Sequence, residues 1–591
     1  MKLTTASCPS IGLLVDWVAI GYQGDIIQGV TRAAAQRGAN LLVYLGGAFT
    51  DEALVDPNNA VYASARQPVV DGVVALTGGL VGALGADACG RILKSLGVPV
   101  VSIGLPMDFA PSLGVDNRAG LILLCEHLVT VHECKRFAMI GGPASSLESE
   151  ERISVCRETL ARFGIELGES HVTRQGFQIE SGTEGIAELF DRRGLNPLEL
   201  DAILCANDLS AEGALLELNE RGRRVPEDLV ITGFDGLDRG RYLMPPLTTI
   251  SQPVVDLGYA AGRSLLQSLD GVNVPRLETL PSTFVIRGSC GCVGPDERPA
   301  AAPKKRARSS GGSSVLLEQR VMICAALSRA AKGQMSAAGA GWEERWLMAL
   351  LEDLRMAEGR ALLNLIQTLL LRQAKERNTL ELCQQVLTTF RHQVLAQLSE
   401  PDATRRLEDI MHEARSLAGA ALERLEVNRR LTTTGTLYSV LHSIERLARI
   451  VTQPEFWNQL QIELSRVGIH TCFVSRIEDM APSTSRLVFA FSQLEPQVER
   501  LVGEIFPNQA LLPGSQIRQR REYPLVVRNL VHSQRPVGCV LLSLTARDVA
   551  IYESFAALIA LQLSDKGRAT PAIAVTPARS LFPKLSTLPK A

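Results

Sequence analysis

Three residues of this 591-residue chain carry the donors and acceptors needed to grip a small polar molecule. Arg152 in "ERISVCRETL" offers a rigid fork of N–H donors, Asn207 in "CANDLS" offers both a donor and an acceptor, and Asp235 in "TGFDGLD" offers charge-assisted acceptance. Asn207 and Asp235 follow short apolar runs, as does Asp16 in "LLVDW". In open α/β sheets ligands sit outside the carboxyl ends of such strands. Asp16, Trp17, Tyr22 and Gln23 therefore fall where a cleft wall meets the start of the first helix. An aromatic ring there either lies against a sugar through its apolar face or covers the edge of its own core. Arg152 is either a ligand fork or a solvated arginine near a helix start. Asp208 reads as a residue that caps or orients the helix beginning at "NDLSAEGALLEL", and Asp228 as a turn residue.

Other chemistry finds no purchase. The chain contains no "GxSxG", no "HExxH", no phosphate-cradling "GxxxxGK[ST]" and no "GGDEF". His442 in "LYSVLHSIERLARI" stands on a helix with no nucleotide-binding segment after it, so it reads as structural or solvated. Most of the twelve cysteines lie in apolar runs, as small buried hydrophobes do. Cys290 and Cys292 in "RGSCGC" are too closely spaced for the usual zinc hairpin and have no partner nearby in sequence, so neither a metal nor a cofactor is expected. The expectation is a protein that is not an enzyme.

The elements that must position these residues alternate. Short β-rich runs, "IGLLVD", "NLLVYLG", "DGVVALT", "VPVVSIG", "RFAMIGG" and "DAILCAND", are separated by amphipathic stretches such as "YQGDIIQGVTRAAAQRG". That is the signature of βαβ units, and strands apolar throughout imply helices on both faces of parallel sheets. Two doubly wound lobes fit the count.

Those runs, with "VDNRAGLILLCEHLV", "VPEDLVITGFDGLDRGRYLMPPLTTISQP" and "VVDLGYAAGRSLLQSL", resemble in order the effector-binding core of the LacI/GalR family, over about residues 11 to 287. The resemblance implies an α/β, two-lobed type I periplasmic-binding-protein fold, with Arg152, Asn207 and Asp235 at positions that bind effector in the family. Members usually carry Gly and an aromatic three and four residues after that arginine. Here Val155 and Cys156 stand there, which implies a looser fit around Arg152. The family's helix-turn-helix precedes its first strand, and only ten residues do so here, so specific operator binding is not expected.

The remaining chain divides by composition. After a sensing domain over 1–292, residues 293–313 form a Pro/Ala/Ser/Gly linker whose "KKRAR" reads as a solvated basic run. Residues 314–431 are helix-forming, and Leu407, Met411, Ala414, Ala418, Ala421 and Leu425 make an apolar stripe that suits either a coiled-coil dimer or a local bundle. Residues 432–568 resemble an α+β GAF-type domain in their helix, hairpin and closing-helix order, and 569–591 read as a disordered tail. A net charge of −2 argues against wholesale nucleic-acid binding, and no segment reaches about 18 consecutive apolar residues. The expectation is a cytoplasmic sensor of a sugar-like effector, homodimeric, that signals through a partner protein. Its rivals are a DNA-binding regulator and a scaffold with a decayed pocket.

Overall fold

The computed structural model describes residues 8–564, apart from 17–20, 50–56, 83, 293–312, 333–334, 336–337, 357–358, 373–376, 399, 451, 479–480, 515, 520, 522 and 545–549. Trp17, nearly all of the linker with its "KKRAR", and the tail lie outside the described residues. The chain forms two compact units, one of residues 1–295 with 440–591, the other of 296–439.

The first lobe of the larger unit contains β1 (Ser10–Val15), α1 (Tyr22–Arg37), β2 (Asn40–Leu45), β3 (Gly72–Leu76), α2 (Thr77–Leu80), α3 (Gly85–Ser95), β4 (Val100–Ile103) and β5 (Ser112–Val115). The second holds α4 (Asn117–Thr130), β6 (Phe137–Gly141), α5 (Leu147–Ala161), β7 (Val172–Arg174), α6 (Ile179–Ala187), β8 (Ala202–Cys205), α7 (Asp208–Glu220), β9 (Val230–Thr232) and β10 (Thr249–Ser251). The chain then returns to the first lobe through α8 (Val254–Leu269) and β11 (Leu277–Leu280), and crosses back with β12 (Thr283–Val285). Parallel pairing gives the orders β11-β5-β4-β3-β1-β2 and β7-β6-β8-β9, with β10 and β12 antiparallel. β1, β2 and β3 are buried along their whole length, which is why their sequences are apolar rather than alternating. Three crossings form the hinge, where Asp116 N–H donates to the Leu280 carbonyl and the Ser282 hydroxyl to the Asp116 carbonyl. Glycines let helices approach closely on the outside of the first lobe. A Cβ on Gly29 of α1 would lie 2.1 Å from the Val255 carbonyl oxygen of α8.

The C-terminal segment is not a free-standing domain. Its strands β13 (Thr471–Glu478), β14 (Ala481–Ser492), β15 (Ile505–Pro507), β16 (Leu525–His532) and β17 (Arg535–Ser543) are antiparallel, in the order β16-β17-β13-β14-β15. β16 then pairs in parallel with β2 of the first lobe, Val526 opposite Val43, giving one sheet of eleven strands among the described residues. β2 would otherwise expose a row of backbone donors and acceptors, and β16 covers them. The seam is bolted by Asn40, whose amide donates to the Gln519 carbonyl at 3.0 Å and accepts from Arg521 N–H at 2.9 Å. Arg518 adds an ion pair to Asp71 at 2.9 Å. Apolar clusters on both faces mix the two segments, Tyr44 with Phe473 and Leu525 on one face, Val43 with Val526 on the other. Helices α15 (Gln453–Arg466) and α16 (Ala550–Leu563) pack on this sheet.

The smaller unit is helical: α9 (Ser313–Glu318), α10 (Arg320–Ala330), α11 (Trp342–Arg355), α12 (Ala361–Arg372), α13 (Arg377–Leu395) and most of α14 (Pro401–Ala448). The stripe on α14 is buried here. Leu407, Met411, Ala414 and Ala418 pack with Trp346, Ile366 and Phe390, and Ala421 and Leu425 flank them. It is the core of a bundle and not a dimer face, because the chain's own helices already cover it. The division expected at 431/432 is also corrected. One 48-residue helix runs through it, since nothing between Pro401 and Ala448 breaks a helix. His442 on that helix is exposed and 3.7 Å from Glu445.

Candidate functional site

The site is built from strand ends. α5 starts at Ser146, whose side chain accepts from Ser149 N–H, and the Ser149 hydroxyl in turn accepts from Gly142 N–H at the end of β6. This fixes Glu148 and Arg152, one turn apart, over the cleft. Arg152 is only 5% exposed. Its Nε donates to Asn117 Oδ1 at 3.2 Å, its Nη1 to the Ala206 carbonyl at 2.7 Å, and its guanidinium lies 3.8 Å from the centre of the Phe234 ring. Two of a guanidinium's five N–H groups are thus committed, and Nη2 lies 3.9 Å from Glu148 Oε2. Val155 and Cys156 do not loosen this arrangement. Both are fully buried in the core of the second lobe and anchor the helix that carries Arg152.

Asp235 follows β9 with φ of 119°, a backbone conformation that favours glycine. Such strain persists where the side chain is needed. The carboxylate is 9% exposed and accepts from Gln252 Nε2 at 2.7 Å. Burial pushes its pKa up to about 7, against the opposing attraction of Arg152 and the Gln252 hydrogen bond, while Glu148 raises it further. From the first lobe comes Tyr22, at the start of α1. Burial and the negative charges of Glu148 and Asp235 raise its phenol well above the usual range, which places it among the second-lobe groups. Glu148 reaches across as well, since a Cβ on Gly104 of the first lobe would lie 3.4 Å from its Oε1. A Cβ on Gly79 would lie 2.4 Å from Asp16 Oδ1, so Asp16 lines the same wall. Tyr22 also packs against the first lobe's core, which is the second of the two readings of an aromatic at this place. Gln23 lies beside it, half-buried in the first turn of α1.

Asn207 departs from expectation. Its Oδ1 accepts from Ser210 N–H and the Ser210 hydroxyl, and its Nδ2 donates to the Phe177 carbonyl, so it is the N-cap of α7 rather than a free ligand fork. Asp208, expected to cap, instead accepts from Leu237 N–H at 2.7 Å and the Thr249 hydroxyl at 2.5 Å. It ties the Asp235 loop to β10, and burial with the Asp235 charge raises its pKa. Sequence reasoning missed Asn117, Glu148, Phe234 and Gln252. Phe234 and Gln252 stood inside the quoted motif, one residue before Asp235 and one before Pro253, whereas Glu148 had only its spacing of four from Arg152 as a signal.

Part of this chain is similar to known proteins. Residues 125–290 match the family model of the periplasmic binding protein-like domain. Over these residues the chain is similar to periplasmic binding protein-like domains. It is 31% identical over 189 residues to the HTH-type transcriptional regulator CelR of Thermobifida fusca, covering 31% of this chain and 54% of that protein. It is 32% identical over 180 residues to the HTH-type transcriptional repressor CytR of Escherichia coli, covering 30% and 51%. The ribose operon repressor of Halalkalibacterium halodurans is 26% identical over 47% of this chain and 78% of its own length. A solved complex of CelR with cellobiose aligns at 27% identity over 48% of this chain and 86% of that one, with a TM-score of 0.42. The chain spans about half the length of CelR and CytR. No helix among the described residues is long and apolar enough to cross a membrane.

Proposed function

We propose that the chain is a regulatory sensor whose periplasmic-binding-protein-like domain closes on a small polar effector, sugar-like or nucleoside-like. The observation that carries this is the constellation at the cleft. Arg152 and Asp235 of the second lobe, with Tyr22 and Asp16 of the first, present a donor fork, charged acceptors and an aromatic face to the space between the lobes. The remaining guanidinium N–H groups and a carboxylate suit vicinal hydroxyls, and Tyr22 suits a ring. Binding favours the closed arrangement and shifts the population of lobe orientations. The C-terminal segment, GAF-like in its element order, shares the first lobe's sheet through β2 and β16 and travels with that lobe. This supports its reading as the docking module for a downstream partner. The chain works as a cytoplasmic homodimer and not as an enzyme, in keeping with relatives named as transcriptional regulators.

A thermal-shift screen of the full chain against sugars and nucleosides tests the reading. An effector at 100 times its dissociation constant stabilises the native state by about 2.7 kcal/mol. A well-folded protein that no compound shifts contradicts it. The second reading, a DNA-binding regulator, is favoured by the names of those relatives. A specific promoter fragment shifted at physiological salt supports that reading against ours.

A further inference from the structure

Away from the cleft, at the far end of α4, four side chains converge. His127 stands in the last turn of α4, and His132 follows in the turn after it, where Glu133 takes a φ of 55°. Opposite them the chain leaves β12 through a single helical turn, Gly288–Cys290, anchored by the Ser289 hydroxyl donating to the Ile231 carbonyl at 2.6 Å. Gly291, at φ of 93°, then reverses the backbone so that Cys290 and Cys292 present both thiols to the two imidazoles. The four donor atoms lie within 4.8 Å of one another. The Nε2 atoms are 3.2 Å apart, Cys290 Sγ is 3.7 Å from His127 Nε2, and Cys292 Sγ is 3.6 Å and 3.3 Å from His127 and His132 Nε2.

The four separations of 3.2 to 3.7 Å match edges of a metal tetrahedron. Zinc–nitrogen bonds of about 2.0–2.1 Å and zinc–sulfur bonds of about 2.3 Å at tetrahedral angles require N···N of roughly 3.3–3.4 Å and N···S of roughly 3.5–3.6 Å. The short Cys-Gly-Cys spacing excluded this site only while the sequence hid its partners, which come from residues about 160 positions earlier. We propose that His127, His132, Cys290 and Cys292 bind one zinc ion in a closed Cys2His2 site. Nitrogen and sulfur donors select zinc over magnesium, calcium or manganese, and four protein ligands leave no open position for catalysis. Loading deprotonates both thiols and releases two protons to solvent, and it replaces the contact of the Cys290 thiol with the Arg287 carbonyl. The site is structural. It pins the last residues of the sensing domain, just before the smaller unit begins at Asp296, to the helix whose first residue, Asn117, holds Arg152. Ten residues of α4, roughly 15 Å, separate the two ends.

Elemental analysis of the full chain, purified reduced and without chelators, tests the proposal. The expected result is about one zinc per chain. Cys292→Ser and His132→Asn should each lose it, while Cys8→Ser, elsewhere in the first lobe, keeps it. Cobalt exchanged into the wild-type protein should show the visible absorption of a tetrahedral thiolate site, a readout that does not depend on any variant folding. Three results would overturn the proposal: reduced wild-type chain that neither retains nor takes up zinc, zinc retained by the Cys292→Ser/His132→Asn double variant, or a Cys290–Cys292 disulfide in freshly isolated protein.

Discussion

Replacing Asp235 by asparagine should separate what this carboxylate does for binding from what it costs the fold. The group is buried, and its folded pKa stands near 7 against an ordinary value of 3.8. The folded state therefore holds the proton more tightly than the unfolded one. The stability this contributes is complete below about pH 4, declines as pH rises toward 7, and is gone above it. A rise of about three units at 1.36 kcal/mol each sets an upper bound on the order of 4 kcal/mol for the penalty of an ionised Asp235 at pH 8. The amide of Asp235→Asn keeps the shape and the acceptor for Gln252 while removing the charge. Removing that charge also relieves Asp208, whose pKa Asp235 helps to raise. The variant should match wild type in denaturant unfolding at pH 4.5 and exceed it at pH 8, by up to that bound. Its affinity for effector should fall by about 1–3 kcal/mol, since a charged acceptor is lost. Equal destabilisation at both pH values would refute the reasoning, because it would mean that the carboxylate is ionised and structurally required.

Other outcomes follow from the same contacts. Arg152→Met should cost about 3–5 kcal/mol in unfolding free energy, because it leaves the Ala206 carbonyl, Asn117 and the nearby carboxylates without their cation. Effector binding near pH 7 should release protons, since ligand hydroxyls donate to the ionised form of Asp235. Calorimetry in buffers of different ionisation enthalpy reads this, and proton uptake would contradict it. Asn40→Ala should loosen the seam between β2 and β16 by about 1–3 kcal/mol and speed hydrogen exchange in β16, leaving β6 and β8 unchanged. In the helical unit, Asp353 is buried and accepts from Ala361 and Leu362 N–H at the start of α12, so Asp353→Ala should lower that unit's melting with a loss of about 1–2 kcal/mol.

Much of this architecture was legible in the residues. Runs such as "GVVAL" announce strands covered on both faces, and the amphipathic stretches between them fix two parallel sheets and the cleft at their carboxyl ends. The side chains that reach the cleft were partly legible. Arg152 and Asp235 were recognisable as strand-end or helix-start polar groups. Asn207 is ambiguous in the sequence because an asparagine before a helix is equally suited to gripping a ligand and to capping, and here the backbone of Ser210 claims its oxygen. What stayed hidden depends on contacts between distant segments. The edge of β2 does not reveal in "NLLVYL" that Leu42 is paired with Leu525, and the two cysteines of "SCGC" do not reveal two histidines on another element. The stripe on α14 suited a dimer and a bundle alike because its covering helices, α10 to α13, carry no local sign of where they pack.

The central claim is that an effector is held between the lobes by Arg152 and Asp235. Isothermal titration of the full chain, and of its Asp235→Asn variant, with the compound that gives the largest thermal shift tests it most directly. The account predicts saturable binding at one effector per chain, weakened about 5- to 150-fold in the folded variant, the equivalent of 1–3 kcal/mol. Binding of equal strength in both proteins would contradict it.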